Sequence, residues 1–273
     1  MKEHNDKKTT AYWIRTIAFW LSTGIIALET GVGAEWDLVR IPFVSAVIGR
    51  LGYPAYILTI MGVWKAAGVI VLLIPGYPRI KEWVYAGLFF VYTGAGASHL
   101  AVGEGGNAAG PFIFAALTLT SWALRSPGRR DFGPFPAGTG TYSRARKISY
   151  WIATAIIAFQ LGAGGIGDLL RPDAVVEGMT LLGYPVYFCV ILGVWKVGGA
   201  IALLAPRLPR LKEWAYAGAV FDLTGAAASH FATGAPAGKV IMVLVFACIA
   251  LASWALRPPA RRDLAEVAPG GNS

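Results

Sequence analysis

Charge is scarce in this chain. Only 14% of its 273 residues are Asp, Glu, Lys or Arg, against roughly 25% in a soluble domain. Hydrophobic residues make up 56% and the mean hydropathy is +0.56, which excludes an ordinary soluble enzyme and points to lipid as the solvent. Cysteine is almost absent. Cys189 and Cys248 both fall in apolar runs without a CxxC, so a dithiol relay or thiolate metal site within the chain is excluded and both read as packing residues. Nor do the two cysteines have zinc-ligand spacing. A small-residue cleavage site after the first apolar run is also lacking, which makes that run a retained anchor and not a signal peptide.

What remains is organised by hydropathy. Apolar runs occur at about 12–30, 54–74, 83–102, 108–124, 149–169, 185–205, 214–233 and 237–256, each close to the roughly 20 helical residues that cross about 30 Å of hydrocarbon. Eight spans are expected. Basic residues gather at alternate ends: Lys2, Lys7, Lys8 and Arg15 before the first run, then Arg79 and Lys81. Arg125, Arg129, Arg130, Arg144, Arg146 and Lys147 lie in the middle, Arg207, Arg210 and Lys212 in the next even hairpin, and Arg257, Arg261 and Arg262 in the tail. Arg40, Arg50, Arg171 and Lys239 alone face the other way. The positive-inside rule then places both termini in the cytoplasm. The formal charge of +9 is thus disposed towards anionic headgroups of the cell membrane, and nucleic acid is not a partner.

The chain is written twice. IKEWVYAGLFFVYTGAGASH at 80–99 returns as LKEWAYAGAVFDLTGAAASH at 211–230, with thirteen of twenty positions identical. The offset of 131 also carries LGYP from 51–54 to 182–185 and GVWK from 62–65 to 193–196. This is a tandem repeat of a four-span unit, parallel in topology. Its expected parts are a first bundle at 1–125, a basic Gly/Pro-rich linker at 126–147, a second bundle at 148–262 and a disordered tail at 263–273. GAGGIG at 162–167 satisfies GxGxxG, but it lies in an apolar run after no strand, so it reads as close helix packing.

Polar residues inside the runs carry the chemistry, since a charge at the bilayer centre costs about 2.5 to 3.5 kcal/mol on insertion scales. Lys196 lies ten residues before Pro206, and Asp222 nine residues after Glu213, which puts both about 14 to 15 Å from the intervening hairpin at about 1.5 Å per residue. Gly218, Asp222, Gly225 and Ser229 form one stripe, and Gly193, Lys196 and Ala200 another. A buried Lys196–Asp222 ion pair is expected, either as a structural clamp or as part of a site. In the first copy Val91 stands where Asp222 does, which leaves Lys65 without the equivalent acid; Glu29 is one alternative partner. Glu82 and Glu213, beside Trp83 and Trp214, read as capped and anchored helix starts. His99 and His230 end their runs after a serine, either as helix-terminal groups or as a pair of axial haem ligands across the copies. Longer in the first copy than in the second, the loop at about 31–53 contains Glu35, Trp36, Asp37, Arg40 and Arg50.

Together, YW at the start of the first run, LGYP, GVWK, KEWxYAG and the Ser-His ending resemble the DoxX-like membrane proteins, over nearly both halves. The resemblance implies an all-α four-helix membrane bundle, here duplicated and fused. It also implies membrane redox chemistry, because a founding relative is a subunit of a thiosulfate:quinone oxidoreductase. On that pattern the second copy is the fuller one, with Lys196, Glu213, Trp214, Tyr216, Asp222 and His230, and the first departs at Val91. Candidate catalytic residues are Lys196, Asp222, Tyr216 and His230, with Lys65, Glu82, Tyr85 and His99 as first-copy counterparts. Tyr216 and His230 fall within about 40° on one helix face, which gives a path for protons.

Two readings of function stand at this point. One is a redox component working with a quinone, or another lipophilic small molecule, and a redox partner protein; quinone or haem is the candidate cofactor. The other is a noncatalytic transport, binding or assembly protein whose charges fix helix register.

Overall fold

The computed structural model describes residues 2–130, 142–206 and 208–262. Most of the expected linker (131–141), Arg207 and the expected tail at 263–273 lie outside them. The first half contains α1 (Lys2–Val39), α2 (Pro42–Arg50), α3 (Tyr56–Leu73), α4 (Pro78–Ala101) and α5 (Gly105–Leu124). After a single turn, α6 (Pro127–Arg130), the second half repeats the series as α7 (Arg144–Leu170), α8 (Asp173–Leu181), α9 (Tyr187–Leu204), α10 (Pro209–Ala232) and α11 (Ala237–Leu256). A last turn, α12 (Pro259–Arg262), follows.

Local chemistry sets the boundaries. Proline occupies the first turn of α2, α4 and α10, where its missing N–H is no loss and its fixed φ suits a helix. Arg40 and Arg171, at φ 56° and 52°, turn the chain out of α1 and α7. The expected first outer loop is mostly helical. α1 continues to Val39 and α2 fills much of the rest, so Glu35, Trp36 and Asp37 sit on a long helix. Gly31 and Gly33 lie inside α1, but an interior glycine costs only about 1 kcal/mol relative to alanine, and α1 packs on α3.

Each half is a ring of four long helices. In the first, α1 packs on α3 and α5, and α4 packs on α3 and α5. α7, α9, α10 and α11 repeat the arrangement. Glycines bring α1 close to α3 and α7 close to α9. A Cβ on Gly165 would lie 2.8 Å from Lys196 Cβ and 3.0 Å from the Gly193 carbonyl oxygen. The Gly193 stripe expected to face α10 therefore has its glycine turned towards α7.

Six helical segments, Thr9–Val39, Tyr56–Leu73, Gly105–Leu124, Arg144–Leu170, Tyr187–Leu204 and Ala237–Leu256, are long and apolar enough to cross a membrane. Of the eight expected spans, α4 and α10 do not meet that criterion. They carry the Lys-Glu-Trp and Ser-His residues, bury most of these, and pack on one another at the centre, so their sequence suits helix contact and not lipid. Large apolar side chains on the outer helices, such as Leu28 (70% exposed) and Phe159 (76%), face outward, as a bilayer-contacting surface requires. Cys189 is buried and Cys248 is exposed on that outer surface. Of the expected interfacial aromatics, Tyr12, Trp13 and Trp151 are exposed, whereas Tyr150 is buried.

The halves meet almost isologously: most contacts occur twice with the roles of the halves exchanged, although Phe89 packs on Trp195 where its counterpart is Val220. At mid-height Gly87 faces Phe221 and Gly218 faces Phe90, and a Cβ on either glycine would come within 3.0 or 3.1 Å of the ring. At one end the LGYP turns interlock, with Tyr56 donating to the Leu182 carbonyl at 2.5 Å and Tyr187 to that of Leu51 at 2.7 Å. Gly52 (φ 77°) lies against Pro185 and Gly183 (φ 78°) against Pro54, so each turn needs glycine both for its backbone and for the close contact.

Candidate functional site

At the opposite, basic end the halves share their carboxylates. Glu82 accepts from Arg125 Nη2 at 2.7 Å, Trp122 Nε1 at 2.7 Å and, across the interface, Trp214 Nε1 at 2.9 Å. Glu213 accepts from Arg257 Nη2 at 2.7 Å, Trp254 Nε1 at 2.7 Å and, across the interface, Trp83 Nε1 at 2.9 Å and Arg79 Nη1 at 3.4 Å. Both carboxylates are fully buried. A carboxylate removed from water must find donors and a counter-charge, and each takes at least one donor from the other half. The expected helix caps and interfacial tryptophans are thus a buried clasp. Arg125 and Arg257 stack over Tyr85 and Tyr216, 4.8 and 5.0 Å from the ring centroids. Tyr85 bonds Ser121 at 2.9 Å, and Ser121 bonds Thr23 at 2.7 Å. Tyr216 bonds Ser253 and Ser253 bonds Thr154, both at 2.7 Å.

Deeper in each half lies a lysine–carboxylate centre. Lys196 donates to Asp168 at 2.9 Å and lies 3.5 Å from Asp222. The expected partner is present, but an acid on α7 is closer. Lys65 is not left alone: Asp37 holds it at 2.7 Å. Glu29 accepts a hydrogen bond from the Tyr92 hydroxyl, which also bonds Thr30 at 2.8 Å. Glu29 Oε1 and Lys65 Nζ both flank Gly33, 3.7 and 3.4 Å from where its Cβ would be. One lysine and two carboxylates therefore gather in each half. In the second, the side chains of Lys196, Asp168 and Asp222 keep 16%, 11% and 17% exposure, so this centre is less sealed than the clasp.

At the LGYP end, His99 Nδ1 lies 2.9 Å from Glu104, which also takes Asn107 at 3.0 Å and Arg50 at 3.2 Å. The Asn107 amide, then His99 and Arg50, hold the Glu104 carboxyl below its ordinary range. Burial pushes the hydroxyls of Tyr53 and Tyr184 well above the usual phenol range; they bond Ser98 and Ser229, each at 2.8 Å. Ala235 stands where Glu104 does in the first half, and His230 ends α10 without that acid.

Residues 21–121 and again 152–253 match the DoxX-like family. The chain belongs to the DoxX-like family. As a DoxX-like tandem it carries one family unit in α1 to α5 and one in α7 to α11. Comparison with curated proteins and with solved structures gave no match.

Within this DoxX-like pair, Lys196 and Asp222 meet. Tyr216 is instead occupied at the clasp end and His230 lies at the other end of the same helix. The counterparts separate likewise: Lys65 joins Asp37, Glu82 and Tyr85 belong to the clasp, and His99 joins Glu104. Asp37 and Asp168 were missed as lysine partners. The signal was present, because the 131-residue offset relates them and each precedes its lysine by 28 residues. A compensating exchange also emerges. Gln160 replaces Glu29 in the second half and Val91 replaces Asp222 in the first, so the second carboxylate comes from the first long helix in one half and from α10 in the other.

Proposed function

We propose that this protein is a multi-pass component of the cell membrane that handles protons for a quinone, or a comparable lipophilic substrate, at its lysine–carboxylate centres. It has eight spans with both termini in the cytoplasm, as two four-span units at 1–125 and 148–262 joined by the basic linker at 126–147. The alternation of basic residues supports this orientation, and the 24 residues of α4 and of α10 supply about 36 Å of helix at about 1.5 Å per residue.

One observation carries the functional reading: two carboxylates beside one ammonium, partly accessible and surrounded by apolar helices. Two carboxylates exceed what one ammonium balances, and the excess charge calls for a proton or another cation. A quinone that takes two electrons from a redox partner protein takes two protons with them, and a group of this kind can deliver those. Lys196, Asp168 and Asp222 are the residues in that role, with Lys65, Asp37 and Glu29 in the first half.

A second reading is favoured by the clasp. The fully buried carboxylates Glu82 and Glu213, each neutralised by a buried arginine of its own half, join the halves through donors of the other, as they would in a noncatalytic transport, binding or assembly protein. Titrating detergent-purified protein with a short-chain quinone, followed by tryptophan quenching, separates the two. The redox reading requires saturable binding that Lys196→Met weakens about tenfold or more, the equivalent of one charge-assisted hydrogen bond. Folded protein that shows no saturable quenching would refute it and leave the second reading.

A further inference from the structure

A cavity of about 60 Å³ lies at the basic end of the first half, several times the roughly 10 to 15 Å³ that one water needs. Its walls combine three cations, Lys81, Arg125 and Arg129, with apolar groups that include Phe19, Trp20 and Leu73. Trp20 and Leu73 are 52% and 61% exposed, so the apolar wall continues onto the lipid-facing surface. Arg129 is an exposed residue stacked over the Trp20 ring at 4.7 Å.

Donors are left over. Arg125 uses Nη2 on Glu82 and Nε on the Trp122 carbonyl, while its Nη1 is buried without a hydrogen-bond partner among the described residues. Lys81 donates to the Leu72 carbonyl at 2.8 Å, one of the three bonds an ammonium can make. Among the described residues neither Lys81 nor Arg129 has an acidic partner.

The second half supplies an internal comparison. There Tyr150 stands at the position of Phe19. Arg261, the counterpart of Arg129, donates to the Tyr150 hydroxyl at 3.5 Å and to the Leu203 and Leu204 carbonyls at 3.2 and 3.4 Å. Lys212 donates to the carbonyls of Ala202, Leu203 and Ala205. The chain thus takes three bonds from each of these cations, whereas in the first half Lys81 makes one, to Leu72, and Arg129 stacks on Phe19 and Trp20; the buried Nη1 without a partner among the described residues is common to Arg125 and Arg257.

We propose that the first-half cavity binds a phosphate group of net negative charge, one not balanced by a cation of its own, held by Lys81, Arg125 and Arg129. The cations supply charge-assisted donors suited to a tetrahedral oxyanion. The apolar wall running onto the lipid face lets the phosphate be the headgroup of an anionic phospholipid with its acyl chains along Trp20 and Leu73. Free phosphate is the other source of the same chemistry.

Delipidated full-length protein is tested by native mass spectrometry with phosphatidylglycerol, with phosphatidylcholine of the same chains, and by calorimetry with inorganic phosphate. Phosphatidylglycerol is expected to bind about tenfold or more tightly than phosphatidylcholine. Arg129→Gln, and Phe19→Tyr, which imports the second half's way of occupying the arginine, each remove about that preference; Arg261→Gln leaves it intact. Preference for phosphatidylglycerol without binding of inorganic phosphate assigns a lipid headgroup site, and inorganic phosphate bound as tightly as the lipid assigns a soluble-phosphate site. Equal binding of both lipids with no phosphate binding overturns the proposal, as does a preference that survives both Arg129→Gln and Phe19→Tyr.

Discussion

Replacing Trp83 and Trp214 with phenylalanine tests whether the halves are held by the exchanged indoles. Each indole N–H donates to the other half's buried carboxylate at 2.9 Å, and phenylalanine retains a ring while removing the donor. A hydrogen bond to a charged group contributes about 1.5 to 3 kcal/mol. Glu213 keeps Arg257, Trp254 and the other half's Arg79, and Glu82 keeps Arg125 and Trp122, so neither carboxylate is stranded and the lower part of that range applies. Because the bonds end on different carboxylates, the double variant is expected to lose roughly the sum, about 3 to 4 kcal/mol. That corresponds to a weakening of half–half association by a factor of about 10² to 10³. A protease site placed between Arg130 and Tyr142, cut in detergent, turns this association into a measurable equilibrium, read by size-exclusion chromatography against dilution. Trp254→Phe removes a bond of the same kind within one half and is the control. A double variant that loses less than about tenfold, or a control that weakens association as much as Trp83→Phe, would show that the exchanged indoles do not hold the halves.

Four further outcomes are expected. Glu29→Gln destabilises the first half, and adding Val91→Asp recovers at least half of the loss in thermal unfolding if the number of carboxylates around Lys65 matters more than the helix that supplies them; no recovery rejects that rule. The Glu104 carboxyl is held below its ordinary value of 4.5 by Asn107, His99 and Arg50, so its contribution is fully present above that pH and is lost as pH falls through the depressed folded value. Glu104→Gln therefore flattens the acid side of the melting-temperature profile and leaves the neutral side unchanged in slope. Gly165→Ala places a methyl 2.9 Å from the Val197 backbone nitrogen and is expected to cost about 1 to 3 kcal/mol from overpacking. At Gly24, where nothing lies within 4 Å, alanine is neutral or stabilising by up to about 1 kcal/mol in a melting assay.

The repeat, the helical class and the lysine within each half were legible in the sequence, because periodicity and the cost of a charge in lipid act locally. Asp37 escaped because Gly31, Gly33 and two acids in nine residues resemble an aqueous loop, and only contact with α3 keeps that stretch helical. The clasp escaped for a different reason. Glu82 and Trp83 each satisfy the pattern of an interfacial helix start, and one sequence carrying two copies does not distinguish Trp83 on Glu82 from Trp83 on Glu213. The pairing is decided by the closeness of α4 and α10, which depends on glycines set against rings of the opposite half.

An isologous interface is self-completing: two copies close on each other and leave no face for a third. Joining the copies in one polypeptide keeps that closure and adds a high effective concentration, so pairing no longer depends on how densely the protein populates its membrane. It also removes a constraint. Two separate identical subunits must show the same residue at both equivalent places, whereas a fused pair can put Val91 opposite Asp222 and Glu29 opposite Gln160. The asymmetry of the two centres is thus a freedom that covalent fusion creates.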